Sequence, residues 1–419
     1  VILVALLLVV LALIGAPLFG VIASSAILGF WSADIPLIAL PIEIFGIAET
    51  PILVAIPLFT FAGYVLSESH APARLVRLTT ALMGWVPGGV AMVAIAACAL
   101  FTAFTGGSGV TIIALGGALY PALIRAGYDG DFSLGLITSA GCLGLLFAPS
   151  LPLILYGVIT ENSIDDMFRA GILPGILMMV ALAGYCVWVN RHIRVPLGQF
   201  SVAEVGAALR ESWLDVPLPF LVLGGIYSGV FAVSEAAAVT AVYVLLVEVV
   251  IRRDVPMVKL PRIMRNSMVL VGGILLILGV SLASTNVTID AQLPERLVAA
   301  VNNVVAGHLS FLVLLFLFLL VLGAILDIFS ALVLVVPLIA PVAAKYGVNP
   351  VHLGILFVAN LELGYLAPPI GRNLVVASYR FGQPIFRVYW ATLPFLLILL
   401  LSVAVITFWA PLSLALLGE

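Results

Sequence analysis

The chain has 419 residues, of which 64% are hydrophobic and 9% charged, with a formal net charge of -3. A soluble domain carries about 25% charged residues, so a water-soluble globule is excluded, and nothing in so small a net charge points to a nucleic-acid partner. Apolar runs able to cross about 30 Å of hydrocarbon recur throughout, where a β-barrel would alternate over short segments; the predicted class is an all-α polytopic membrane protein.

The first apolar stretch, from Val1, reads as a membrane helix instead of a cleaved signal, because no small-residue cleavage site follows it. Residues 70–83 mix charged and apolar positions and are predicted to lie along the interface, their charges forming a solvated helix face. In 88–125 an apolar run is interrupted by Thr105-Gly-Gly-Ser-Gly109. Its flanks, Arg74 and Arg77 before and Arg125 after, are all basic, which predicts a re-entrant hairpin. A broken helix follows over 131–160, interrupted at Ala148-Pro-Ser150, then an acidic stretch with Glu161, Asp165 and Asp166, then a span near 170–190 ending at Arg191, His192 and Arg194.

A second interfacial stretch, 200–211, leads to helices near 214–231 and 234–252, joined by Phe231-Ala-Val-Ser-Glu235. The densest basic cluster comes next: Arg252, Arg253, Lys259, Arg262 and Arg265. The positive-inside rule places it in the cytoplasm. Counting spans from that anchor puts Arg191, Arg194 and Arg210 inside and the acidic stretch after 160 outside. Onward, a span near 266–286 reaches Asp290, Glu295 and Arg296, and 290–302 forms a third interfacial stretch. A hairpin over 308–345, its tip near Asp327, then enters from the outside. A second broken helix, 351–380, contains Ala367-Pro-Pro-Ile-Gly-Arg-Asn373.

These elements form two related halves, 1–195 and 196–419. Pro121 pairs with Pro341, Gly127 with Gly347, Pro149 with Pro368 and Pro174 with Pro394, at offsets of 219 or 220. The hairpins open to opposite faces, so the repeat is inverted. Corresponding interruptions in the halves of a membrane chain point to a transport site. Glycine permits close backbone approach, proline stops a helix, and hydroxyls add oxygen ligands, a combination suited to a hard cation such as Na⁺. The first candidates are Thr105, Gly106, Ser108 and Gly109, facing Pro149 and Ser150; the second are Asp327, facing Asn360, Gly364, Pro368, Arg372 and Asn373. An intramembrane carboxylate such as Asp327 is a functional candidate by default; pairing with Arg372 is the structural alternative. Arg372 has three readings: an anion clamp, a brace for freed carbonyls, or a snorkelling side chain.

No HExxH pair is formed by the four histidines, and neither lysine lies in a nucleotide-binding loop. Cys98, Cys142 and Cys186 lack CxxC spacing and read as packing residues. Gly106-Gly-Ser-Gly109 matches a serine-nucleophile pattern, so an intramembrane serine protease is a remote alternative. That chemistry needs a nearby base, and no histidine falls within an apolar helix core.

The chain resembles the large membrane subunit of tripartite ATP-independent periplasmic (TRAP) transporters, of the C4-dicarboxylate and sialic acid permease kind. The resemblance rests on Ile56-Pro-Leu-Phe-Thr-Phe-Ala-Gly63, Gly88-Gly89, Phe104-Thr-Gly-Gly-Ser-Gly109, Ala148-Pro-Ser-Leu-Pro-Leu-Ile-Leu-Tyr-Gly157, Phe168-Arg-Ala-Gly-Ile-Leu-Pro-Gly175, Gly225-Ile-Tyr-Ser-Gly229 with Glu235-Ala-Ala, and Pro368-Pro-Ile-Gly-Arg-Asn373. It implies an elevator-type carrier in the bacterial inner membrane, working with a small four-helix membrane subunit and a periplasmic substrate-binding protein. By motif it implies one Na⁺ among Thr105, Gly106, Ser108, Gly109, Pro149 and Ser150, a second among Asp327, Gly364 and Pro368, and substrate contacts from Arg372, Asn373, Ser150 and Asn360. Arg372 replaces a residue that is commonly neutral in the family, and Thr105 departs from the usual Ser-Gly-Ser tip. Two or more coupling ions are expected, because one Na⁺ with a dianion would move against the membrane potential, at about 2.3 kcal/mol per charge per 100 mV. A stand-alone divalent anion/sodium symporter is the runner-up, and a channel is a further rival.

Overall fold

The structure, a computed structural model, describes residues 7–8, 10–11, 14–85, 88–191, 200–290, 292–302, 305 and 307–417. The expected 195/196 boundary, His192, Arg194 and the beginning of the first apolar stretch lie outside them. Among the described residues every regular element is helical, and nine helices are long and apolar enough to cross a membrane.

Helices α1 (Leu18–Ser32), α2 (Ala39–Ala48), α3 (Ala55–Glu68) and α4 (Ala71–Met83) lead into the first hairpin, α5 (Gly89–Thr105) and α6 (Ser108–Arg125). Its tip is two glycines. Gly106 ends α5 with φ 65°, a left-handed conformation that favours glycine, and a Cβ there would lie 2.4 Å from Leu151 Cδ1. After α7 (Gly130–Ala140) the helix breaks, passes through a 3-10 turn at Leu143–Leu146 and the cis Ala148–Pro149 bond, and resumes as α8 (Leu151–Thr160). Then α9 runs Ile164–Val189. Asp165 and Asp166, expected in a loop before a span near 170, sit in its first turn, with Ser163 Oγ accepting from the Asp166 amide. Carboxylates are favoured at that end of a helix.

The succession recurs after α10 (Val202–Glu211), α11 (Pro217–Tyr227) and α12 (Val233–Val244), which continues as a π-helical turn to Ile251. Helix α13 (Leu260–Asp290) starts earlier than expected and takes Arg262 and Arg265 into its first turns. Next come α14 (Leu293–Asn302) and a hairpin of α15 (His308–Ile325) and α16 (Ile328–Lys345). Helix α17 (Pro350–Gly364) is interrupted at 365–371, which holds the cis Pro368–Pro369 bond, and continues as α18 (Arg372–Phe381), α19 (Ile385–Phe408) and α20 (Pro411–Leu414).

Helices α6 and α16 start 220 positions apart, as do α7 and α17, whose caps correspond. Asp129 Oδ2 accepts from the amides of Asp131 and Phe132, and Asn349 Oδ1 from those of Val351 and His352. In this register the counterpart of Pro149 is Pro369, one residue beyond the Pro368 expected from sequence.

Packing between the two series is crosswise. Helix α6 lies against α18 and α16 against α8; α7 packs on α19 and α17 on α9; farther out, α1 runs along α13 and α12 along α3. Backbones touch where hairpin meets interrupted helix. A Cβ on Gly364 would lie 2.3 Å from the Gly323 carbonyl carbon, and one on its counterpart Gly144 would lie 2.3 Å from the Ala99 oxygen. At the centre, Cys142 Sγ donates to the carbonyl of Glu362, 220 positions away, at 3.5 Å.

Helix α4 carries the main polar contact of the surrounding helices. Arg77 is exposed and pairs with Glu204 and Glu211, in keeping with a solvated face. Arg74 departs from that expectation, at only 5% exposed. Its Nε donates to Asp215 Oδ2 at 2.6 Å, Nη2 to Glu248 Oε1 at 2.8 Å, and Nη1 to Asp254 Oδ2. The guanidinium fork joins α4 to the start of α11, the π turn and the loop before α13. Burial alone would lower the Arg74 pKa, but hydrogen bonds and charge from Asp215, Asp254 and Glu248 raise it above its ordinary value. Burial would raise that of Asp254, yet its bond from Arg74 holds it below the ordinary 3.8.

Two outcomes are expected. Gly364→Ala puts backbone against backbone and should cost about 1–3 kcal/mol, read as a lowered melting temperature of purified protein, whereas Gly272→Ala, with nothing within 4 Å of its Cβ, should leave melting unchanged or raise it. Arg74→Ala leaves buried carboxylates without their cation and should cost about 3–5 kcal/mol. Because the folded pKa of Asp254 is depressed while Arg74 keeps its proton, the Asp254 contribution is complete above its unfolded value and lost as pH falls through the folded one. Melting curves of wild type and Asp254→Asn should therefore differ at neutral pH, with the gap starting to close as pH falls below about 4; a gap that stays constant as pH is lowered through the acid range would refute this.

Candidate functional site

Two polar clusters lie where the hairpin tips meet the interrupted helices. At the first tip Thr105 and Ser108 are almost fully buried, at 1% and 3% exposure. Ser108 Oγ donates to Asn373 Oδ1 at 2.8 Å, Asn373 Nδ2 donates to Cys142 Sγ at 3.0 Å, and the Asn373 amide donates to the Tyr365 carbonyl at 3.2 Å. Asn373 thus joins the first hairpin and first break to the second break. Ser150 caps α8, accepting from the Leu153 amide at 3.4 Å, and is wholly buried. Three threonines deepen the cluster: Thr102 Oγ1 lies 2.6 Å from Thr111 Oγ1 and donates to the Gly141 carbonyl at 2.9 Å, while Thr105 Oγ1 lies 3.4 Å from Thr111 Oγ1. Neutral hydroxyl and carbonyl oxygens around a glycine turn form a donor set appropriate to an alkali cation. Ser108, the residue of the nucleophile pattern, donates to an amide oxygen, not to a base.

At the second tip Asp327 caps α16. Its Oδ1 accepts from the amides of Phe329 and Ser330 at 3.0 and 3.1 Å, and its Oδ2 accepts from Ser330 Oγ at 2.5 Å. Asp327, Ser330 and Arg372 are the hydrogen-bonding side chains of a cavity of about 620 Å³ whose other walls come from α13, α15 and α18. No ion pair among the described residues joins Asp327 to Arg372 or involves Arg372 at all. Arg372 begins α18 after Gly371, whose φ is 52°, and its guanidinium carbon lies 5.9 Å from the centre of the Tyr365 ring, at cation–π distance. The Tyr365 hydroxyl accepts from the Ile328 amide at 2.6 Å, so one buried ring connects the arginine to the second tip.

The remaining candidates fall outside this cavity. Asn360 is buried on α17 with Nδ2 donating to the Leu356 carbonyl at 2.8 Å, its Oδ1 without a partner among the described residues. Gly364 makes the close contact with Gly323. Pro368 lines a separate apolar cavity of about 240 Å³ with Phe386, Tyr389 and Trp390. Gly109 packs near Val376, a wall of the larger cavity, and Pro149 lies in the first break. Sequence reasoning overlooked Thr102, Thr111 and Tyr365, and it read Cys142 as packing only, where its Sγ accepts from Asn373 and donates to the Glu362 carbonyl. Thr111 sits three residues after Ser108 and so shares its helix face, a usable signal; Tyr365 in an apolar segment carried none.

The family described as "Tripartite ATP-independent periplasmic transporter, DctM component" matches residues 2–412. The C4-dicarboxylate TRAP transporter large permease protein DctM of Pseudomonas aeruginosa is 33% identical over 379 residues, covering 90% of this chain and 89% of that one. The ectoine/5-hydroxyectoine TRAP transporter large permease protein UehC of Ruegeria pomeroyi is 30% identical, covering 96% and 95%. Among solved structures, the YdaH transporter of Alcanivorax borkumensis superposes with a TM-score of 0.58 at 16% identity, covering 90% of this chain and 88% of that one, a likeness of fold.

Tyr365→Phe removes the acceptor of a buried amide while keeping the ring under Arg372. The unpaired N–H should cost about 1–3 kcal/mol, read as a lower melting temperature; melting identical to wild type would show that the hydroxyl does not hold the tip.

Proposed function

The chain belongs to the DctM component family of tripartite ATP-independent periplasmic transporters, and from that premise we propose that it is the multi-pass permease of a sodium-coupled uptake system for a small organic anion in the bacterial inner membrane. The observation that carries this reading is the pairing of a buried hydroxyl-and-carbonyl cluster at one tip with a cavity bearing an unpaired arginine at the other. Na⁺ held by Thr105, Ser108, Thr111 and neighbouring carbonyls would order the first tip. Through Ser108 and Asn373 that order reaches the second break, where Tyr365 and Arg372 lie. The anion then binds in a site that the ions have completed, and hairpins and interrupted helices move as one body past the outer helices. Within this scheme Arg74 anchors α4 to the stationary part.

Substrate arrives from a periplasmic binding protein, and the small membrane subunit supports the outer helices, in line with the family. The relatives' names cover different solutes at similar identity, a C4-dicarboxylate in one and ectoine in another, so kinship alone does not select the anion. A stand-alone symporter is distinguished by whether uptake survives without the binding protein.

In proteoliposomes holding both membrane subunits, with binding protein outside, replacing Na⁺ by K⁺ should abolish uptake, and an inside-negative potential should accelerate it. Ser108→Ala should raise the Na⁺ concentration for half-maximal uptake about tenfold, equivalent to about 1.4 kcal/mol. Undiminished uptake in K⁺ would sink sodium coupling.

A further inference from the structure

The walls of the Asp327–Arg372 cavity narrow the substrate class, an inference that rests on the anion-uptake reading. Two charged side chains face it, and they are not equivalent. The carboxylate of Asp327 is committed: two amides and the Ser330 hydroxyl donate to it, and it sits at the N-terminus of α16, where the helix dipole compensates a negative charge. Arg372 is exposed, enters no ion pair among the described residues, and has its guanidinium carbon 5.9 Å from the centre of the Tyr365 ring. A guanidinium carries five N–H donors, so its contact with one tyrosine leaves donors over, enough for a fork that matches one carboxylate. The cavity therefore offers one uncompensated cation.

Beyond the tip and Arg372 the lining is apolar, with Ile274 and Ile277 on α13 opposite Val375 and Val376 on α18, and Phe329 and Ile370 beside the charged pair. A second acid group would have to lose its hydration against such walls with no partner, and a chain of hydroxyls would lose its hydrogen bonds there. We infer that the preferred substrate is a monoanion with a single carboxylate and a compact apolar body, held by Arg372, and is neither a dicarboxylate nor a polyhydroxylated sugar acid. At 620 Å³ the volume exceeds what a six-carbon acid needs, so discrimination comes from wall chemistry and charge, not from size.

The test is equilibrium binding to the purified full-length chain with its small subunit in nanodiscs, in NaCl and in KCl. The probes are 4-methyl-2-oxopentanoate, succinate and N-acetylneuraminate. Expected in NaCl is binding of the branched oxo acid at least about tenfold tighter than either competitor, lowered at least about tenfold by Arg372→Gln and less by Arg372→Lys. The comparison among acids on the wild-type protein decides the class even if a variant fails to fold. Succinate binding as tightly or tighter would overturn the monoanion class, and N-acetylneuraminate doing so would overturn the apolar wall argument; in either case sodium-dependent anion uptake would stand. Arg372→Gln that folds and binds the oxo acid like wild type would overturn the arginine's role. Binding of none of the acids in either salt would overturn this inference and the parent reading together.

Discussion

A backbone interrupted at membrane depth has amides and carbonyls that lipid cannot satisfy, and leaving each unpaired costs several kcal/mol. This protein interrupts its backbone at two hairpin tips and two helix breaks, and groups set free there find partners on neighbouring tips, breaks and helices, in one case across the two halves of the chain. The Ile328 amide goes to the Tyr365 hydroxyl, the Tyr365 carbonyl to the Asn373 amide, the Gly141 carbonyl to Thr102, and the Glu362 carbonyl to Cys142. Close glycine contacts follow from the same need, since backbones must approach within touching distance for short side chains to bridge them. The polar centre is a solution to an accounting problem in hydrogen bonds.

Two arginines illustrate the division of labour. Arg74 is buried, with carboxylates from three separate segments around its fork. Such a group specifies one arrangement of the helices it joins, and removing it strands charges in a low dielectric. Arg372 faces a cavity and has an aromatic face in place of a counter-ion. A cation left without its anion in this way has binding capacity to offer.

Much of this architecture is legible in the chain because glycine and proline act locally. The tip at Gly106-Gly107, the breaks around Pro149 and Pro368 and the second tip near Asp327 follow from backbone preferences that a few residues reveal. What stays hidden depends on distant partners. Arg74 resembles any charge on an amphipathic helix until Asp215, Glu248 and Asp254, 141 to 180 positions away, close around it. Ser108 and Asn373 are separated by 265 positions, and their bond gives each a role that its own segment does not announce. Tyr365 is the clearest case. Aromatic residues in apolar segments usually pack, and only the fold places its hydroxyl on a tip amide and its ring beneath a guanidinium.

The crossed arrangement of α6 on α18 and α16 on α8 has a mechanical meaning. Each half of the sequence completes the other half's hairpin, much as two clasped hands hold because the fingers alternate. The two halves share one continuous core, so a change in shape at either tip is felt on both sides of the repeat.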